Sequence, residues 1–292
     1  MAVAQRSMWG STVATLEMIK WEHSIFALPF ALTGAVLAVD GWPPLAKLGW
    51  IVLCMVAARS AAMAFNRLID ARLDAANPRT ANRAIPAGLL SPGFVAGFTV
   101  LTSVVFLLSA GMLNRLALLL SPVALAVVLA YSYMKRLTRW SHLVLGLALG
   151  IAPSAAWIAL RGSLDPRVII LTALVMLWVG GFDVLYACQD FEHDRQSGLN
   201  SVPQAFGLDG AFWIARAMHV LVVLLSLWLD RVFALGIAGL VGTVLVAALL
   251  LYEHSIISPR DLRRMNAAFF LLNGVISIVF FVSVATAVFF RK

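Results

Sequence analysis

Three oxygen-bearing side chains, Asn66, Asp70 and Asp74, stand at intervals of four in the stretch "NRLIDARLD". On a helix each lies about 6 Å from the next along one face. The device recurs in "DFEHD", which sets Asp190 and Asp194 four apart while Glu192 points elsewhere. Asp183 and Tyr186 lie two turns and one turn earlier, on roughly the same face as Asp190. For Asp74, Asp194 or Glu192 taken singly, a solvated helix end is an adequate account. It fails for the set, because carboxylates closing a helix meet the negative end of its dipole, where Lys or Arg is favoured. Converging acids also repel one another unless a cation neutralises them. Oxygen-only ligands suit Mg²⁺, at about 2.1 Å, with phosphate oxygens completing the shell. No His or Cys cluster speaks for zinc.

Arginines share the first acidic connection: Arg72, Arg79 and Arg83 follow within "ARLDAANPRTANRAIP". Carboxylates, a divalent cation and fork-shaped donors together suit a diphosphate. The stretch "YSYMK" adds Tyr131 and Lys135 at a spacing of four, although a lysine snorkelling at a membrane interface reads equally well alone.

The elements that must position these residues are helices in lipid. Of the 292 residues, 62% are hydrophobic and only 12% charged, with mean hydropathy +0.92; a soluble chain of this length has no means of hiding so much apolar surface. Apolar residues run continuously, which excludes the alternation of a membrane β-barrel. Stretches of roughly 20 apolar residues span a bilayer. Nine are expected, at about 24–39, 46–69, 92–112, 115–132, 142–160, 167–189, 212–229, 232–252 and 266–289. The expected fold is an all-α polytopic membrane protein, one domain over 1–292, with about nine transmembrane helices around a central cavity. Residues 1–23 form a polar cytoplasmic or interfacial segment with no evident cleavable signal.

Two longer polar connections, Asn66 to about Ser91 and Asp190 to about Gly210, follow even-numbered helices and so open on the same side. That side also collects Arg6, Lys20, Arg67, Arg72, Arg79, Arg83, Lys135, Arg136, Arg139, Arg195, Arg260, Arg263 and Arg264. The other holds Lys47, Arg115, Arg161, Arg167, Arg231, Arg291 and Lys292. The bias places the acidic mouth at the cytoplasmic face of the cell's inner membrane. It also accounts for the net charge of +8 without a nucleic-acid partner. Cys54 and Cys188 both lie in apolar runs, so neither a disulfide framework nor a zinc site is expected. Arg59 and Asp183 each lie seven residues before an acidic-motif residue, deeper in the bilayer. Buried charges at such depth are costly and functional by default, and both are expected to face the cavity near each other.

A diphosphate held above a hydrophobic chamber implies a greasy substrate, and polyprenyl diphosphate fits. Mg²⁺ and cationic side chains stabilise the departing diphosphate, and a dry chamber protects the allylic cation. Aromatic faces can stabilise that cation; Phe65, Tyr131, Tyr133, Tyr186 and Trp157 are candidates, although core packing explains most of them. The acceptor is then an electron-rich aromatic ring. A transporter or channel needs polar residues through the thickness of several helices, whereas here they gather at one face. Alcohol phosphotransfer on lipids uses a single glycine-containing acidic run, which is absent.

At these residues the chain resembles the UbiA family of intramembrane aromatic prenyltransferases. "NRLIDARLD" corresponds to the family's first acidic motif, "DFEHD" to its second, "RTANRAIP" to its arginine follow-on and "YSYMK" to its Tyr-Lys pair. The resemblance implies metal ligation by Asn66, Asp70, Asp74, Asp190 and Asp194, and diphosphate binding by Arg72, Arg79, Arg83, Lys135 and Tyr131. It gives Arg59, Asp183 and Tyr186 a place at the aromatic acceptor. The contexts "RSAAMAFNRLID" and "TANRAIPAG" are most similar to 4-hydroxybenzoate polyprenyltransferases of ubiquinone synthesis. Prenylation of 1,4-dihydroxy-6-naphthoate or a related acceptor for menaquinone is the alternative. Departures are Arg67 at a position usually acidic, Ala84 in place of the customary Pro, and a first helix reading "WEHSIFALPFAL"; they bear on the acceptor, not on the reaction class.

Overall fold

Backbone N–H and C=O groups in hydrocarbon must be paired within the segment that carries them, so apolar runs in lipid form helices. Residues 8–19 and 24–290 are described by a computed structural model. They form α1 (Met8–Ile19), α2 (Ser24–Val39), α3 (Leu45–Ala76), α4 (Pro92–Gly111), α5 (Arg115–Leu137) and α6 (Ser141–Arg161). There follow α7 (Pro166–Ala187), α8 (Phe191–Ser197), α9 (Val202–Val232), α10 (Gly236–Ile256), the short α11 (Met265–Ala267) and α12 (Asn273–Phe290). Among the described residues extended pairing is confined to one isolated bridge, Ser258 with Asp261. Eight helical stretches are long and apolar enough to cross a membrane, and Leu28–Val39 is a shorter apolar one. These nine coincide with the nine expected, and the chain is an all-α integral membrane protein. Arg6, Lys20, Arg291 and Lys292 lie outside the described residues. Of the segment 1–23, α1 is described, and it buries Ala14 and Met18 against Ala64, Leu90 and Val95.

Two boundaries differ most from expectation. The second apolar run continues as helix past residue 69 to Ala76, giving α3 32 residues, about 48 Å at 1.5 Å per residue. The ninth element begins at Val202 instead of 212. Ser201 caps it by accepting the Gln204 N–H at 3.3 Å, Pro203 occupies the first turn, and Gly207 (φ 72°) then redirects the chain. Ser and Pro are the residues that start helices, and glycine adopts that φ at no steric cost. The second polar connection is consequently a tight turn at Cys188–Asp190, then α8 and the first turns of α9.

The most apolar window of α7 is 67% buried and that of α5 only 11%, so α7 is the central post and α5 faces lipid. Close approach of α6 to α7 depends on two glycines four residues apart. A Cβ on Gly146 would collide with the Met176 carbonyl oxygen, and one on Gly150 would stand 2.7 Å from the Thr172 carbonyl oxygen. Small residues at this spacing let transmembrane backbones touch. Around α7, Trp178 packs against Phe30 (4.9 Å between ring centroids) and Phe182 (5.0 Å). At the end remote from the acids, Asn114 Nδ2 donates to the carbonyls of Ile158 (2.7 Å) and Ala159 (3.0 Å), and Lys47 Nζ to Ala159 (3.3 Å). These bonds add side-chain donors at the last carbonyls of α6, where Ile158 also accepts the Gly162 N–H at 2.8 Å.

Replacing Gly150 by Ala is expected to cost about 1–3 kcal/mol through this overpacking. Gly97→Ala, at a position with nothing within 4 Å of the new methyl, should be neutral or stabilise by up to about 1 kcal/mol. Thermal unfolding of the detergent-solubilised variants checks the contrast.

Candidate active site

Because α3 stays helical to Ala76, Asn66, Asp70 and Asp74 line one face of its final turns, and all three reach one cavity of about 200 Å³. Asp190 and Asp194, from the turn after α7 and from α8, line the same cavity. So do Arg79, Arg83, Tyr131, Lys135, Asp183 and Tyr186. The two acidic motifs, more than a hundred residues apart in the chain, therefore share one mouth. An open depression of about 540 Å³ lies beside Gln189 and Arg260–Arg263, and none of the motif acids lines it.

Asp70, Asp74 and Asp190 have each found a cation within the chain. Asp70, its side chain 2% exposed, accepts from Lys135 Nζ at 2.6 Å, Arg136 Nη2 at 2.9 Å and Asn66 Nδ2 at 3.0 Å. Asp74 accepts from Arg83 Nη1 at 2.6 Å, and Arg67 Nη1 stands 3.8 Å away. Asp190 accepts from Asn77 Nδ2 at 3.1 Å and from Arg79 through both oxygens, at 2.8 Å for Nε and more closely for Nη2. Arg79 thus spans the mouth, from the α3–α4 connection to the turn after α7. Its guanidinium also lies 5.5 Å over the Tyr186 ring. Burial alone would lower the Arg79 pKa, but the hydrogen bond and charge of Asp190 outweigh it and hold the guanidinium above its ordinary value.

Several sequence expectations are modified. Arg72 is exposed and does not line the cavity, because two residues beyond Asp70 on a continuing helix is a rotation of about 200°. Asp183 takes a different partner from the one expected: its Oδ2 lies 2.7 Å from His142 Nδ1. Arg59, whose Nε is buried, is not among the residues that line the cavity. Trp157 packs on Phe233 at 6.0 Å between centroids, in keeping with core packing. Phe65 and Tyr133 meet edge to face at 5.9 Å away from the cavity lining. Three participants were not read from the sequence. Arg136 stood beside Lys135 as a visible charge, whereas Asn77 and His142 carry no periodic signal.

A divalent cation is chemically compatible with this donor set. All five motif residues offer oxygen, and Asp74 Oδ2 is buried with no hydrogen-bond partner, an atom shaped for a further ligand. Among the described residues no three acidic, His or Cys side chains converge closely enough to form a ready-made metal cluster. The intervening Lys and Arg side chains hold the acids apart.

A lipid-embedded helical bundle with paired acidic motifs at one mouth defines a class, and the chain belongs to it: residues 27–275 match the model of the UbiA prenyltransferase family. The protein is 32% identical over 263 residues to 4-hydroxybenzoate octaprenyltransferase of Vibrio cholerae serotype O1, covering 89% of this chain and 90% of that one. It is 31% identical over 266 residues to the Aliivibrio fischeri protein of the same name, covering 91% and 92%. Among solved structures, the apo UbiA homolog from Aeropyrum pernix K1 superposes with a TM-score of 0.82 at 34% identity, over 90% of this chain and 96% of that one. The UbiA homolog from Archaeoglobus fulgidus bound to DMAPP and Mg²⁺ superposes with a TM-score of 0.74 at 18% identity, over 94% and 99%; at that identity the likeness concerns the fold.

Removing the exposed Arg72 side chain should change prenyl transfer by no more than about twofold, the usual effect of a surface substitution. Arg83→Ala strips a charged partner from buried Asp74 and should cost tenfold or more, since hydrogen bonds to charged groups are worth about 1.5–3 kcal/mol. Steady-state rates of the two variants in membranes distinguish the roles.

Proposed function

We propose that this chain transfers a polyprenyl group from its diphosphate to a ring carbon of 4-hydroxybenzoate, with Mg²⁺, in ubiquinone synthesis. The observation that carries the proposal is the meeting of both acidic motifs and their arginine and lysine partners around one cavity. The names of the relatives at about 30% identity and near-full coverage support the choice of acceptor. Asn66, Asp70, Asp74, Asp190 and Asp194 would hold the metal, which when bound supplies positive charge where the leaving diphosphate accumulates negative charge. Arg79, Arg83 and Lys135, with Arg136 beside them, exchange the chain's own carboxylates for phosphate oxygens when substrate enters. Tyr131 and Tyr186 line the passage below the diphosphate. Asp183, with Tyr186, serves the acceptor from the cavity wall. The apolar surround excludes water from the allylic cation. The excess of Lys and Arg on the side of the acidic mouth supports an inner-membrane protein whose site opens to the cytoplasm.

Asp70→Asn or Asp190→Asn should lower turnover at least about a hundredfold, as loss of a preorganised charge contact does, in protein that remains inserted and folded. Chelation of divalent cations should stop the wild type, and Mg²⁺ should restore it. Radiolabelled transfer to 4-hydroxybenzoate, run beside 1,4-dihydroxy-6-naphthoate, identifies the acceptor. Product with the naphthoate alone would overturn the ubiquinone assignment.

A further inference from the structure

Aromatic prenylation leaves one proton to dispose of, and the cavity offers a particular place for it. Asp70, Asp74 and Asp190 are each paired with Lys or Arg, which ties them to the diphosphate end. Asp194 lies one turn beyond Asp190, farther from the tail. Asp183 is different. It lies seven residues before Asp190, about 10 Å deeper along α7, where the carbon end of a prenyl diphosphate must reach. Its side chain is 20% exposed at the cavity wall. Its partner is an imidazole instead of a Lys or Arg: His142 Nδ1, at 2.7 Å from Asp183 Oδ2.

The opposite nitrogen of that imidazole is also occupied. The Val202 N–H donates to His142 Nε2 at 3.3 Å. Val202 opens α9 and has no carbonyl within its own helix to donate to; Pro203 beside it has no N–H. Because Nε2 accepts, the proton of a neutral imidazole resides on Nδ1 and donates to Asp183. The ring is buried, at 5% side-chain exposure, and bonded at both ends, so its orientation has little freedom.

We propose that Asp183 accepts the ring proton released by prenylation and that His142 is the positioning residue that orients it. This rests on the aromatic prenyl transfer proposed above. The ring carbon's π electrons form the bond to prenyl C1 as the C1–O bond to diphosphate breaks, with its electrons leaving on the diphosphate. The ring C–H bond then breaks, its electrons restore aromaticity, and the proton passes to an Asp183 carboxylate oxygen. His142 keeps its own proton throughout. The same contact joins this base to the start of α9, directly after the second acidic motif.

The test uses the full-length protein in membranes with Mg²⁺, a polyprenyl diphosphate, and the acceptor deuterated at the ring positions that react. His142→Ala should lower kcat about tenfold to a hundredfold, the worth of one hydrogen bond to a charged group, with KM for the diphosphate unchanged. It should also develop a primary deuterium isotope effect that the wild type lacks. His142→Asn keeps an N–H donor near the Nδ1 position and should recover most of the rate. Asp183→Asn leaves the His142–Val202 contact available and should lose about a hundredfold. Full kcat in Asp183→Asn overturns the proposal even where His142→Ala fails to fold. An equal loss in His142→Ala and His142→Asn, or a loss without an isotope effect, overturns the role of His142. Absence of transfer to any aromatic acceptor by the wild type is a different result: it removes the reading on which the proposal stands.

Discussion

Charge neutralisation in a poorly solvated place is the constraint on which the rest of this molecule depends. Five oxygen-donor side chains sit at the end of an otherwise apolar bundle, where an uncompensated carboxylate would be costly. The chain answers with its own cations. Lys135 and Arg136 come from α5, Arg83 and Arg79 from the connection after α3, and each closes on an acid of another element or another turn. The arrangement holds the mouth together and is exchangeable, since a diphosphate with its metal offers the same charges in the opposite sense. On the proposed function, the groups that bind substrate are thus the groups that keep the site stable without it.

Such a site requires rigid walls. Those walls come from close contact between α6 and α7 at Gly146 and Gly150 and from the aromatic packing of Trp178 on Phe30 and Phe182. Bonds from Asn114 and Lys47 to the far end of α6 fix that helix at its other terminus. The register of α7 follows from these contacts, and with it the relative heights of Asp183, Tyr186 and Asp190 along one side of the cavity.

Much of this was legible in the sequence where a simple period applied. Continuous apolar runs located nine helices, and spacings of four located Asn66, Asp70, Asp74, Asp190 and Asp194 on two faces. Reading by proximity along the chain was less successful. Arg72 lies among the other arginines in sequence, but the helix turns it away from Asp70. Asp183 pairs with His142 from another helix, a contact between residues 41 positions apart that no local pattern encodes. The early start of α9 was hidden because its first turns carry Pro203, Gln204 and Asp209 and are interrupted by Gly207. Its signal was the Ser201 cap with Pro203, chemistry specific to helix ends instead of hydropathy.

The length of α3 has a consequence for how a lipid arrives. At 32 residues, or about 48 Å, it is longer than a hydrocarbon layer of about 30 Å. Its acidic turns therefore project to the level of the phospholipid headgroups. An amphiphile moving sideways through the leaflet carries its own phosphate at that same level. On the proposed function, capture requires neither lifting the molecule out of the membrane nor dragging a charged head into oil; the journey is two-dimensional, and the diphosphate keeps its altitude from free diffusion to docking.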